Sequence, residues 1–268
     1  MWTPTLRNSE LSKGDYLTLP VSPRRATEVL VVLTIMVIAM GGMIRIYDAG
    51  ESCPDWPTCF GTFGFDISEE EQGEWWDENP DEADSRGSGH RYTSFEIFTE
   101  WFHRLLAGAF VGPLVIVNWF LVRKEIWNSP RVRGVSSLTL ALILWQGAIG
   151  WLTVKLDNEN WSVAIHLGSA LAFLISLIWL WIEIRRDEED LPNWISFDPL
   201  VGMKWRKWIG VLSFSTLITL FSGVYVSTTP GANYGCGVGG MLESWPLCNG
   251  QLIQDVDDWE LQSQIIHR

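Results

Sequence analysis

Five stretches of this 268-residue chain stay apolar for about 18–22 residues at a time, and nothing constrains its fold more. They cover residues 29–46, 98–122, 135–154, 162–184 and 208–227. A helix rises about 1.5 Å per residue, so each run can cross a hydrocarbon layer of about 30 Å. Backbone polar groups in that layer must be bonded within the protein, and a single run of this length achieves that as a helix. The expected fold is therefore all-α, a polytopic membrane helix bundle. Seventeen Trp residues agree with this, because indoles favour the headgroup belt. The first twenty residues are polar and show no small-residue cleavage site after a short apolar core, so the first span is expected to remain as an anchor.

Charge sets the expected orientation. Basic residues flank alternate span ends at Arg24-Arg25, at Arg123-Lys124 with Arg131 and Arg133, at Arg185-Arg186, and at Lys204, Arg206 and Lys207. By the positive-inside rule this places the N-terminus in the cytoplasm and the chain in a cell membrane, multi-pass, with both cysteine loops outside. The net charge is −13, and the acids gather in 66–84, within an outer-loop insert at 62–92. Such a run is expected to be a solvated, disordered or salt-tolerant segment without chemistry. His90 lies in the polar Gly89-His90-Arg91 and is expected to be a surface histidine. A basic footprint for nucleic acid is absent. The expected divisions are a cytoplasmic lead at 1–27, an N-terminal four-helix half at 28–185, a linker at 186–207, and a partial C-terminal half at 208–268.

Ionisable residues nevertheless enter the second span at Glu100-Trp101-Phe102-His103-Arg104. At membrane depth each costs about 2.5–3.5 kcal/mol on insertion scales unless the fold uses it. Spacings of three and four put Glu100, His103 and Arg104 on one helical face. His166 stands about a turn inside the fourth span, and the chain ends in His267-Arg268. Spans two, four and a sixth all begin on the outer side, so the three histidines share one layer. A lone histidine there is ordinarily an interfacial residue. Three at one depth suit imidazole ligation of haem iron inside a bundle, with Arg104 and Arg268 as contacts for porphyrin carboxylates. Zinc fits less well, since no thiolate or second His lies at local ligand spacing. Glu100 can serve as a proton acceptor beside that iron, or merely as a carboxylate favoured by the helix dipole.

The sequence also repeats. Trp56-Pro57-Thr58-Cys59-Phe60-Gly61 matches Trp245-Pro246-Leu247-Cys248-Asn249-Gly250, and each copy precedes an x-x-His-Arg, with Glu100 replaced by Gln264. Duplicated halves can build a binding site between them. The bundle is therefore expected as duplicated four-helix halves, the second incomplete: five full spans plus the start of a sixth. A truncated or partial sequence is expected, with a natural short form as the alternative. Pro54 and Pro57 favour the turn that would bring Cys53 near Cys59. That pair is either a structural disulfide or a redox-active one, and Cys236 and Cys248 occupy the second loop.

Cys-Pro-Asp-Trp-Pro-x-Cys after a Gly-Gly-x-x-Arg helix end, Glu-x-x-His-Arg, a Gly-Ala-x-x-x-x-Thr-Val segment and the second Trp-Pro-Leu-Cys-Asn-Gly loop together resemble the haem A synthase family over residues 40–268. The resemblance implies eight helices in two four-helix halves and oxidation of the C8 methyl of haem O to the formyl group of haem A, for terminal oxidase assembly. It implies His103 and His166 around substrate haem O, Glu100 as the catalytic carboxylate and His267 as an axial ligand of haem b. It further implies Cys53–Cys59 and Cys236–Cys248 as the loop pairs, with haem O synthase, the terminal oxidase and membrane lipid as partners. The chain departs from the pattern in its wider second cysteine spacing and in stopping before the last helices. Two other classes share parts of the pattern. A quinone-linked thiol oxidase would show two outer cysteine pairs but usually Cys-x-x-Cys, and a b-type haem electron carrier would not need Glu100.

Overall fold

The computed structural model describes residues 21–82, 86–126, 128–196, 198–229, 236, 247–251 and 259–267. Their regular structure is helical: α1 (Pro23–Ile46), α2 (Glu69–Glu78), α3 (Ser94–Leu105), α4 (Gly112–Glu125), α5 (Pro130–Lys155), α6 (Asn160–Asp187), α7 (Pro199–Thr228) and α8 (Trp259–His267). A π-helical turn, Leu106–Val111, joins α3 to α4 in a continuous 32-residue rod. Among the described residues, five rods are long and apolar enough to cross a membrane, one for each apolar run in the sequence. The chain is a multi-pass membrane protein.

Helices α1, α5 and α7 start several residues before their apolar runs because Pro23, Pro130 and Pro199 sit in their first turns. Proline at that position has a helical φ and lacks only a donor that would have been unpaired anyway. Pro113 acts differently. Inside the second rod it removes one backbone bond and crowds the carbonyl four residues earlier. The backbone widens just ahead of it, where Gly112 N–H reaches back to Ala107 O. A π turn one residue beyond α3 is the result.

Helix α1 packs against α4 and α6, and α5 closes the square by packing against both of those. Leu30, Val111, Val115, Phe173 and Leu177 fill the middle of this four-helix bundle, and Val122, Val132, Val135, Leu180 and Ile184 fill the end away from the cysteine loops. Large apolar side chains such as Val32, Ile35, Phe120 and Ile175 point outward, where lipid covers them. Helix α7 leans on α6 and α1 and pairs with α8.

The acidic insert departs from expectation. It is not a loose solvated run: it folds into a lid over the first cysteine loop. Ser68 and Glu71 close a capping box that starts α2, with the Ser68 hydroxyl accepting from Glu71 N and the Glu71 carboxylate accepting from Ser68 N. Gln72 is buried and clips the far strand of the insert, donating to Tyr92 O at 3.0 Å and accepting from Tyr92 N at 2.8 Å. Trp76 enters one apolar cluster with Cys53, Cys59, Phe60, Ile67, Tyr92 and Ile97. Acids stay on the outer face of α2 while the apolar and amide residues between them supply the contact. His90 also departs from expectation, since it is half-buried with its ring edge-on to Tyr92 at 4.7 Å.

Candidate functional site

Helix α3 begins at a second capping box. Thr93 Oγ1 accepts from Glu96 N, and the Glu96 carboxylate accepts from Thr93 N at 2.8 Å. From that start, Ile97 and Glu100 turn into the protein, while Phe98, Trp101 and Phe102 form an aromatic row with Phe65. Glu100 is 4% exposed, and its carboxylate is fully engaged. Oε2 accepts from Ser52 Oγ and from Cys53 N, both at 3.0 Å, and Oε1 pairs with Arg104. Arg104 in turn donates to Cys53 O at 2.6 Å and Thr58 O at 2.9 Å, and also to Asp55 O. One guanidinium therefore ties three carbonyls of the cysteine loop to the carboxylate at the end of the membrane helix. A buried carboxylate needs such a cage, because charge taken out of water without partners costs several kcal/mol, about 3–5 when one partner of a pair is removed.

The loop is itself stiff. Cys53 and Cys59 are bridged and almost fully buried. Cys59-Phe60-Gly61-Thr62 closes as a tight turn, with both central residues at positive φ (49° and 74°) and paired backbone bonds between Cys59 and Thr62. Gly61 supplies the second of those conformations without strain.

His103 stands one residue from Arg104, and its ring meets the Val37 backbone of α1. Its Nδ1 is sealed from solvent and makes no hydrogen bond among the described residues. His166, on α6, is near enough for the two rings to interact electrostatically. The Gln146 side-chain amide on α5 lies 3.2 Å from His166 Nδ1 and also donates to His166 O at 3.1 Å, while Ser169 Oγ holds the other end of that amide. His267, on α8, has Ser222 Oγ of α7 at 2.9 Å from its Nδ1.

Glu100, Arg104 and the Cys53–Cys59 loop thus form one cluster, and His103 and His166 share the interior of the four-helix bundle. His267 belongs to the separate α7–α8 pair. There Cys236 and Cys248 are bridged as well, with Gln264 Oε1 accepting from Cys236 N. Arg268 lies outside the described residues. Among the described residues, no three metal-binding side chains converge.

Residues 24–268 match the family described as Cytochrome oxidase assembly protein, COX15-CtaA. The chain belongs to this family. Among curated relatives of this chain, the Heme A synthase of Shouchella clausii is 27% identical over 236 residues, 87% of this chain and 66% of its own length. The Heme A synthase of Shewanella oneidensis is 33% identical over 160 residues, covering 59% of this chain and 45% of its own. That of Novosphingobium aromaticivorans is 28% identical over 250 residues, 86% and 66% respectively. The chain spans two thirds or less of the length of these relatives. No solved structure matches it significantly.

In this member of the family, sequence reasoning missed Ser52, Gln146 and Ser222, the polar partners of Glu100, His166 and His267. A signal was present for Gln146 and Ser222. Both are polar residues inside apolar runs, each in the second half of its run.

Proposed function

We propose that this chain acts as a haem A synthase, an oxidoreductase converting the methyl group of haem O to a formyl group. The observation that carries the reading is the pairing of two half-buried imidazoles on facing helices with a caged carboxylate one turn from the first. The residues fit a porphyrin iron. His103 carries a sealed ring nitrogen that has no hydrogen-bond partner among the described residues, and His166 approaches it from α6. In this reading His103 and His166 hold the iron of haem O, and His267 supplies one ligand of a haem b. Haem iron, when bound, supplies the redox chemistry. Methyl to formyl takes up one water and releases four protons and four electrons, the electrons leaving to an external acceptor, and Glu100, one helical turn from His103, would accept one of the protons. Arg104 and Ser52 keep its carboxylate oriented meanwhile. Because Arg104 is committed to Glu100 and the loop carbonyls, it acts as a clamp in this reading, and the porphyrin carboxylates fall to other groups.

The same reading sets the membrane orientation, with a cytoplasmic N-terminus, both cysteine loops outside a cell membrane, and the four-helix half at 28–185 as the substrate half. It implies haem O synthase as supplier of substrate and terminal oxidase assembly as consumer of haem A.

Glu100→Gln is the decisive variant. Gln264 already shows an amide oxygen accepting from the cysteine N–H in the equivalent place, so the loop should keep its geometry. Haem absorption is expected to persist while formyl-haem production, read by extraction and mass of the porphyrin, falls at least a thousandfold, an upper-range general-base effect of about 10³–10⁴. Unchanged product would remove Glu100 from the chemistry. Haem bound without any formyl product in the wild-type protein would favour a b-type electron carrier.

A further inference from the structure

Each of the three histidine rings sets its Cε1 close against a glycine of a neighbouring helix. A methyl group placed on Gly41 of α1 would stand 3.3 Å from His103 Cε1, and on Gly150 of α5 it would stand 3.0 Å from His166 Cε1. On Gly223 of α7 it would stand 2.9 Å from His267 Cε1. Carbon atoms pack best at about 3.5–4.0 Å, so any side chain at these positions must push the ring away. Glycine alone does not explain this closeness. Gly42 and Gly147, on the same two helices as Gly41 and Gly150, have open space where a side chain would go. Glycine is the poorest helix former after proline, yet it recurs under all three rings.

The repeat adds weight. Gly41 and Gly223 each sit in the helix leading to a cysteine loop, and each faces the histidine that follows its own loop. Two of the seats carry a hydrogen-bonding neighbour beside the glycine. Ser222, adjacent to Gly223, holds His267 Nδ1, and Gln146, one turn before Gly150, holds His166.

We propose that Gly41, Gly150 and Gly223 are positioning residues, seats that fix where the three imidazoles stand for ligation of haem iron. The proposal rests on the haem-binding reading above. Metal–ligand distances tolerate only about 0.2 Å, and a ring moved by several tenths of an ångström leaves that window. Positions supporting a ligand in this way typically change metal affinity 10–100-fold when altered.

The test uses the full chain purified in detergent and titrated with haem b, with Gly41→Ala, Gly150→Ala, Gly223→Ala and the control variants Gly42→Ala and Gly147→Ala. Alanine improves helix propensity, so the variants should fold. Gly150→Ala and Gly223→Ala are expected to retain haem about tenfold less well and to shift the low-spin absorption and paramagnetic resonance signals. Gly41→Ala should shift the spectra with a smaller loss, and both controls should overlay the wild type. Seat variants that overlay the wild type overturn the proposal, as do controls that shift equally. Histidine-selective NMR of the haem-free protein separates the two levels of the argument. If the wild type takes up no haem, the functional reading fails, while movement of the His166 resonances by Gly150→Ala but not Gly147→Ala still supports the seat. Absence of that movement sinks it.

Discussion

The two cysteine loops are built on one plan and differ in charge. Each is bridged, Cys53–Cys59 and Cys236–Cys248. Each closes in the same tight turn, with Phe60 and Gly61 at φ 49° and 74° and Asn249 and Gly250 at 49° and 79°. Each presents the N–H of its first cysteine to a side-chain oxygen on the following helix, Glu100 in one and Gln264 in the other. The acceptor is therefore part of the scaffold, and either residue type satisfies it. What the first loop adds is a negative charge, together with Ser52 and the Arg104 clamp that let it persist in a buried place. A charge retained where a neutral residue serves the same fold is most economically explained by chemistry.

Removing Arg104 should break that asymmetry most severely. Arg104→Leu leaves the Glu100 charge uncompensated and three loop carbonyls without their donor. A loss of about 3–5 kcal/mol is expected, read as a large drop in thermal stability in detergent. Adding Glu100→Gln on top should restore much of it, because the second loop shows the neutral arrangement to be self-consistent. A double variant no more stable than Arg104→Leu alone would mean that the clamp serves the loop and not the carboxylate.

The disulfides separate stability from activity. Chain entropy alone slightly favours the second bridge, whose cysteines are 12 residues apart against 6, and makes each worth about 2–3 kcal/mol. Replacing Cys236 and Cys248 by Ser should therefore cost at least as much stability as replacing Cys53 and Cys59. The first pair, however, positions the N–H that orients Glu100. Its loss should cut formyl production well beyond the stability change, whereas equal effects of the two pairs on product would argue that the loops are interchangeable.

Much of this plan was legible in the sequence. Apolar runs and the repeated Trp-Pro-x-Cys-x-Gly are local signals, so five membrane helices, two loops and the Glu100–Gln264 exchange could be read directly. The lid could not, because its average composition is acidic while its fold depends on Gln72 and Trp76 meeting Tyr92 from outside the run. The overlooked local clue was Ser68 followed three residues later by Glu71, a helix start in a stretch read as solvated. The destination of Arg104 was equally hidden. A guanidinium at a membrane helix end suits a porphyrin carboxylate as well as loop carbonyls, and only the path of the loop decides. The glycine seats depend on which helices face each other, which no single helix's sequence states.

The lid offers a milder way to sharpen the comparison, since the second loop reaches its His-Arg through a much shorter connection. Gln72→Ala removes both hydrogen bonds to the buried Tyr92 backbone, at about 1–3 kcal/mol. Proteolysis within 66–92 should accelerate, with cleavage near the second cysteine loop unchanged. Acceleration at both loops would show that the lid supports the whole face and not the first loop alone.

The smallest effect concerns the start of α2 and depends on pH. Hydrogen bonds from the Ser68 hydroxyl and then the Ser68 backbone N–H hold the Glu71 carboxylate below its ordinary range. A carboxylate with a lowered folded value stabilises the fold above its unfolded value of about 4.3, and that contribution disappears as pH falls through the folded value. Hydrogen exchange at the first turn of α2 should accordingly be flat from neutral pH down to about 5, then show loss of protection below about 4. Glu71→Ala should show the weakened protection already at neutral pH, with a shallower acid step. Its group is exposed, so neither change should propagate to Glu100. An acid step of the same size in Glu71→Ala would assign the titration to the neighbouring acids of α2, and the capping box would then be geometry without electrostatic weight.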